Sequence, residues 1–230
     1  MKVSDKGLAE IAGHEGIVQK RYLDSVRVWT IGIGHTSSAG DPNPAQVTRE
    51  LSISEVMDIF RRDIERFEHR VNDAVKVSLK QHEFDALVSF DFNTGGIYRA
   101  KLTKHLNAGH KAAAAKAFMG WVKPKEIKPR REAERDLFKT GQYGDGFATV
   151  LDASPAGRVK WGSGKRVDVL SIVSRKVRSD GIITAPEGYA PKPKPKPPVV
   201  EVMPPPPPKP ETSIWTTLAA FIGRFFRIGQ

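Results

Sequence analysis

Apolar residues recur along this chain with two different periods. Leu8, Ile11, Ala12 and Glu15 follow one another at i, i+3, i+4 and i+7 after Ser4, a suitable N-cap, and before Gly16, a suitable stop. That spacing predicts a short helix with Glu15 on its apolar face and at its C-terminal end. From Arg21 to Thr36 the pattern alternates, with Tyr22, Val26, Val28, Trp29, Ile31 and Ile33, and predicts short strands. The helical period returns at Ser52 or Ser54. Val56, Ile59, Phe60, Ile64, Phe67 and Val71 then form one stripe of a long helix. Leu79 to Phe92 predicts a second helix, broken by Asn93-Thr94-Gly95-Gly96. Leu102 to Leu106, Ala112 to Val122 and Arg131 to Phe138 predict three more, the last ending near Gly141. Phe147 to Leu151, Val159 to Trp161 and Val167 to Val173 read as short strands between glycine-rich turns.

The pattern changes again near residue 190. Residues 186–210 hold 12 of the 17 prolines, which predicts an extended, semi-rigid polyproline spacer. Beyond it, Trp215, Leu218, Phe221, Ile222, Phe225 and Phe226 crowd into residues 214–230, interrupted by Arg224 and Arg227. A helix over Ile214 to Ile228 would be about 22 Å long, against a hydrocarbon core of about 30 Å. An interfacial anchor on an anionic membrane surface is therefore expected; a short membrane-spanning anchor and a protein-docking helix are the alternatives. The expected organisation is a main domain over residues 1–143, a C-terminal extension over 144–189, a linker over 190–213 and a membrane-seeking helix over 214–230.

The formal net charge of the 230 residues is +11. Residues 191–230 carry six Lys/Arg and two Asp/Glu, so most of the excess belongs to the main body. Such a surface attracts polyanions, whether nucleic acid, anionic lipid or bacterial envelope. No groove-reading motif supports nucleic acid as a partner. There is no cysteine, which excludes disulfides, thiolate metal sites and a cysteine nucleophile. Gly7 to Ile11 is too short and too mixed for the apolar core of a secretory signal, so another delivery route is expected if the target lies outside the cytoplasm.

Two carboxylates stand out. Glu15 is placed where burial and the negative end of its helix both disfavour the ionised form, as a general acid requires. Asp24, nine residues on, falls in a polar turn where it should stay ionised. Thr30 offers a hydroxyl that could hold a water against Asp24. Two carboxyl groups in contrasting environments suit glycoside hydrolysis, although such pairs are also often only structural.

The surrounding residues sharpen that choice. His14-Glu15-Gly16, Tyr22-Leu23-Asp24 and the run Trp29-Thr30-Ile31-Gly32-Ile33-Gly34-His35-Thr36 resemble the glutamate–aspartate–threonine motif of phage-type lysozymes, glycoside hydrolase family 24. The similarity continues through Ala86 to Gly95, Leu106 to Gly109, Trp121 and Arg130 to Phe138, so it covers roughly residues 5–143. The resemblance implies an α+β, mainly helical fold with two lobes, a small sheet lobe and a helical lobe. It implies a muramidase acting on peptidoglycan, with Glu15, Asp24 and Thr30 as the catalytic set and no metal or organic cofactor. The anomeric centre would be inverted, which requires carboxyl groups about 6.5–9.5 Å apart. His35, Phe92, Asn93 and Arg130 would lie on the substrate side, Phe92 and Asn93 lining the cleft and Arg130 pairing with Glu15. A lone imidazole makes a poor metal site, and Asp63 is the expected partner of His35. The implied setting is an endolysin made in a bacterial cytoplasm and acting on the wall as a monomer. The rival reading is a catalytically silent wall- or membrane-binding protein on the same fold.

One departure from the family pattern has a physical consequence. The turn after Asp24 usually carries a glycine, whereas here it reads Ser25-Val26-Arg27-Val28. If the turn needs a positive φ, Arg27 must supply it at a cost of about 1 kcal/mol or more.

Overall fold

A computed structural model of the protein describes residues 1–179. The expected linker and apolar tail lie outside the described residues. Helix α1 spans Asp5–Glu15. Ser4 Oγ accepts a hydrogen bond from the Gly7 amide at 3.0 Å, and Gly16 ends the helix at φ 78°. That left-handed exit turns the chain straight into strand β1, Ile17–Leu23, followed by β2, Trp29–Gly32, and β3, His35–Thr36. Helix α2, Ile53–Ala74, begins with a reciprocal cap: Ser52 Oγ accepts from the Glu55 amide at 3.2 Å, and Glu55 Oε2 accepts from the Ser52 amide at 2.8 Å. Helices α3, Gln81–Thr94, and α4, Lys101–Asn107, follow. Helix α5, Lys111–Ala117, is shorter than the expected Ala112 to Val122 segment. A 3₁₀ turn over Phe118–Gly120 interrupts it, and Phe118 turns inward to stack on Phe90 and Phe138. Helix α6, Lys128–Thr140, ends on Gly141 in the left-handed region.

The chain then returns to the sheet. Strand β4 covers Phe147–Ala153 and β5 covers Val159–Asp168. The order is β3-β2-β1-β4-β5, with β4 parallel to β1 and every other pair antiparallel. Every helix from α2 to α6 lies in the crossover between β1 and β4. The sheet therefore continues past residue 143 into the extension. The expected strand over Val167 to Val173 is corrected: the chain leaves β5 at Asp168 and enters helix α7, Val169–Ser179. Asp168 Oδ1 accepts from the Ser171 amide at 2.9 Å, a helix-start signal that outweighs the β-branched residues.

The main core gathers Leu8, Ile11, Ile64, Phe84, Leu87 and Phe90, all essentially inaccessible to water. A second, smaller core of Val18, Tyr22, Leu151 and Ala153 lies between β1 and β4. The N-terminus is fastened by Asp85, whose buried carboxylate accepts from Ser4 Oγ at 2.5 Å, Tyr143 Oη at 2.7 Å and Gln81 Nε2 at 2.8 Å. The architecture is the α+β, mainly helical arrangement with a sheet lobe that the sequence implied. Among the described residues no helix is long and apolar enough to cross a membrane.

Candidate active site

Strand β1 carries a carboxylate just beyond each end. Glu15 precedes it, separated by Gly16, and Asp24 follows it directly. The Glu15 side chain is only 6% exposed, and Arg130 Nη1 donates to its Oε1. That bond leaves Oε2 as the oxygen able to carry a transferable proton.

Arg130 is itself buried. Its Nε donates to Glu134 Oε1 at 2.9 Å, and Ser89 Oγ donates to the same oxygen at 2.7 Å. Arg131 stands beside it, with Nη2 donating to Asn93 Oδ1 at 2.5 Å and the guanidinium 5.2 Å above the Phe90 ring. Arg131 Nη1 lies 2.5 Å from Glu134 Oε2, but its N–H is not aimed at that oxygen, so the contact is Coulombic rather than a hydrogen bond. Glu15, Glu134, Arg130 and Arg131 thus form a buried group of two carboxylates and two guanidiniums. Such a group avoids the cost of an unbalanced buried charge. Burial alone would lower the Arg130 pKa; the charges of Glu15 and Glu134 overcome it and raise the value. Arg131 is less compensated, and burial lowers its pKa to about 10.

Asp24, itself half-buried, opens a tight turn whose residues Ser25 to Val28 are exposed. Its Oδ1 accepts from the amides of Val26 at 2.9 Å and Val28 at 2.8 Å. Both bonds fall on one oxygen, which leaves Oδ2 to hold a water. Arg27 closes the turn at φ 64°, so a non-glycine residue does occupy the left-handed region here, at the cost expected from the sequence. Thr30 pairs across the sheet with Tyr22 and is 2% exposed. Its Oγ1 donates to the Val28 carbonyl at 3.1 Å, so its lone pairs remain to accept from a water.

Tyr22 lies on β1 between the two carboxylates. Burial raises the pKa of its phenol, and the charges of Asp24 and then Glu15 raise it further. One side chain therefore lies in the field of both groups. Tyr22 was visible in the sequence only as an apolar strand position and a neighbour of Asp24. Strand alternation alone could have flagged it as inward-facing.

The residues expected on the substrate side divide. Arg130 does meet Glu15. Asn93 is 7% exposed and held by Arg131. Phe92 packs edge-on against Phe60 and Phe67, with centroids 5.5 and 5.0 Å away, so its ring belongs to the core rather than lining a cleft. His35 also differs from a substrate contact. Its ring is buried, Nδ1 donates to Asp63 Oδ2 at 2.9 Å and Nε2 donates to the Pro42 carbonyl at 2.9 Å. Two acceptors demand two donors, so this arrangement suits the imidazolium. Burial opposes that charge, but Asp63 outweighs it and the pKa is raised. Asp63 is the partner the sequence suggested. Among the described residues no group of three or more His, Asp or Glu side chains is placed to hold a metal ion.

Known proteins similar to this chain are phage lysozymes and endolysins. The sequence model of the phage lysozyme family matches residues 12–134. The endolysin of Bacillus phage PZA is 37% identical over 61% of this chain and 56% of its own length. This chain thus spans a little over half of that relative. The endolysin of Salmonella phage P22 is 34% identical over 60% of this chain and 98% of its own. Among solved structures, a crystal structure of a single-substitution variant of P22 lysozyme superposes with a TM-score of 0.57 at 31% identity. It covers 61% of this chain and 99% of its own.

Proposed function

This chain belongs to the phage lysozyme family, and on that premise we propose that it is an endolysin-type muramidase. The substrate is peptidoglycan, and the bond is the β-1,4 link between N-acetylmuramic acid and N-acetylglucosamine. The observation that carries this reading is the pairing of a buried, Arg130-held Glu15 with a turn-held Asp24 at opposite ends of one strand.

The chemistry follows from those two environments. Glu15 Oε2 delivers its proton to the departing glycosidic oxygen. Asp24 Oδ2 and Thr30 Oγ1 orient a water on the opposite face of the sugar. The water oxygen bonds to the anomeric carbon as the C–O bond breaks, and its proton passes to Asp24. The configuration inverts, and both carboxyls regain their starting states by exchange with solvent. The protein would act in this role as a monomer, made in the host cytoplasm and working on the wall.

Digestion of purified sacculi tests the reading. New reducing ends should be muramic acid, and proton NMR during the first turnovers should show the α anomer. Reducing ends on glucosamine would refute the muramidase assignment, and an initial β anomer would refute inversion.

The apolar residues 214–230 support a second partner, an anionic membrane surface reached through the proline-rich spacer. Full-length protein should float with vesicles containing anionic lipid, whereas a chain ending at Pro210 should not. Equal flotation of the two chains removes the membrane proposal.

A further inference from the structure

We propose that the β4–β5 hairpin, residues 147–168, is a template that sets the spacing of the two catalytic carboxyls, with Gly157 as the positioning residue for Asp24. This inference rests on the roles given above to Glu15 and Asp24. It concerns a segment beyond residue 134, where the family match ends.

The need for a template comes from the length of β1. Glu15 and Asp24 are nine residues apart, and nine extended steps would cover about 30 Å. An inverting pair requires about 6.5–9.5 Å between carboxyl groups. Side chains reaching inward cannot close that gap from a straight strand. The strand therefore has to bend, and its pairing with β2 is irregular between Val18 and Tyr22, between the two carboxylates. Away from the hairpin, the bend is held by β2, by the two-residue β3 and by hydrogen bonds between Gln19 and Leu51.

The hairpin grips both arms of that bend. On the Glu15 arm, β4 pairs in parallel at Ile17 with Val150 and at Val18 with Leu151. At the bend, Lys20 Nζ donates to Asp152 Oδ1 at 2.8 Å. On the Asp24 arm, Tyr22 packs on Leu151 and Ala153, and the Leu23 amide donates to the Gly157 carbonyl at 2.8 Å. The last contact is the residue immediately before Asp24.

The turn that presents Gly157 is itself stiff. The Gly157 amide donates to the Ser154 carbonyl at 2.9 Å, and the Ser154 amide donates to the Arg158 carbonyl at 2.8 Å. Gly157 adopts φ 79°, and a Cβ there would meet Trp29 Cζ3 at 2.9 Å and the Leu23 backbone nitrogen at 3.1 Å. Trp29 adjoins Thr30. The absent side chain thus lets the Gly157 carbonyl reach the Leu23 amide, next to Asp24, without displacing Trp29, the neighbour of Thr30.

The test is steady-state hydrolysis of soluble peptidoglycan fragments by full-length Gly157→Ala, Gly157→Asn and Gly109→Ala. Gly109 also has φ 79°, but open space surrounds its Cβ position, so its alanine variant reproduces the backbone strain alone. Gly157→Asn keeps a residue that tolerates the left-handed region while retaining the Cβ collision, which guards against simple misfolding. Both Gly157 variants should lose about tenfold or more in kcat, with KM within about twofold and an altered acid limb of the pH profile. Gly109→Ala should keep wild-type kcat and pH profile despite a lowered Tm. Gly157 variants that are folded and match an active wild type in kcat and pH profile overturn the template. A wild type no more active than Glu15→Gln overturns the underlying catalytic reading, and the template with it.

Discussion

Glu15→Gln should lower the rate of wall hydrolysis about 10³-fold, within the usual contribution of a general acid, and leave the protein folded. Glutamine keeps an oxygen for Arg130 Nη1, so the bond that orients the side chain survives. What it cannot do is release a proton to the glycosidic oxygen. The substitution changes the acceptor offered to the buried Arg130 guanidinium, so a small fall in Tm accompanies it. Turbidity clearing of purified sacculi, read beside a thermal melt, separates the two effects. Equal clearing by folded Glu15→Gln and wild type would remove Glu15 from the mechanism.

Glu134→Ala should have the largest effect on stability. Glu134 has no exposed side-chain surface and offers its carboxylate to both Arg130 and Arg131. Arg130 would retain Glu15, but Arg131 would face only the Asn93 oxygen and the Phe90 ring. Its pKa already lies near 10 because burial penalises its charge. Breaking a buried ionic group by removing one partner costs about 3–5 kcal/mol. For a chain of this size that is a fall of roughly 6–20 °C in Tm, at about 2–4 °C per kcal/mol. Ser89 Oγ also loses its acceptor. The same substitution should reduce activity, because Arg130 then holds Glu15 without its own brace. A loss below about 1 kcal/mol by denaturant titration would show that the four charges are not energetically coupled.

Helix α1 and its termini were legible because the Ser4 cap, the apolar spacing and the Gly16 stop each act on residues about one turn away. Helix α2 was legible for the same reason, from Ser52 through its apolar stripe. Arg27 was legible as a strained position because the turn's demand for a positive φ depends on a few neighbouring backbone atoms. Helix α7 was missed because Val167, Val169, Ile172 and Val173 favour a strand, while the Asp168 cap that overrides them is a single residue. The end of α5 was missed because Phe118 turns toward Phe90 and Phe138, partners remote in sequence. His35 and Phe92 were grouped with the substrate side because both fall in segments that resemble the family. Their side chains instead point to Asp63 and to Phe60 and Phe67.

The amino-acid sequence by itself determined most of the helical and strand periods, Glu15 at a helix end, Asp24 in a turn and the family pattern that joins them. These depend on residue type and short spacing, which a linear chain displays directly. The resemblance implied that Arg130 holds Glu15; only the tertiary structure decided how Glu134 and Arg131 complete that buried group and how the hairpin packs on β1. Arg130 lies 115 residues from Glu15, and Gly157 lies still further along the chain from the strand it touches. Such contacts depend on where the crossover from β1 to β4 returns the chain, and no local spacing encodes that position. The two carboxylates proposed to carry the chemistry are therefore written in the first 30 residues, while the contacts that hold their surroundings come from α6 and from the hairpin that completes the sheet.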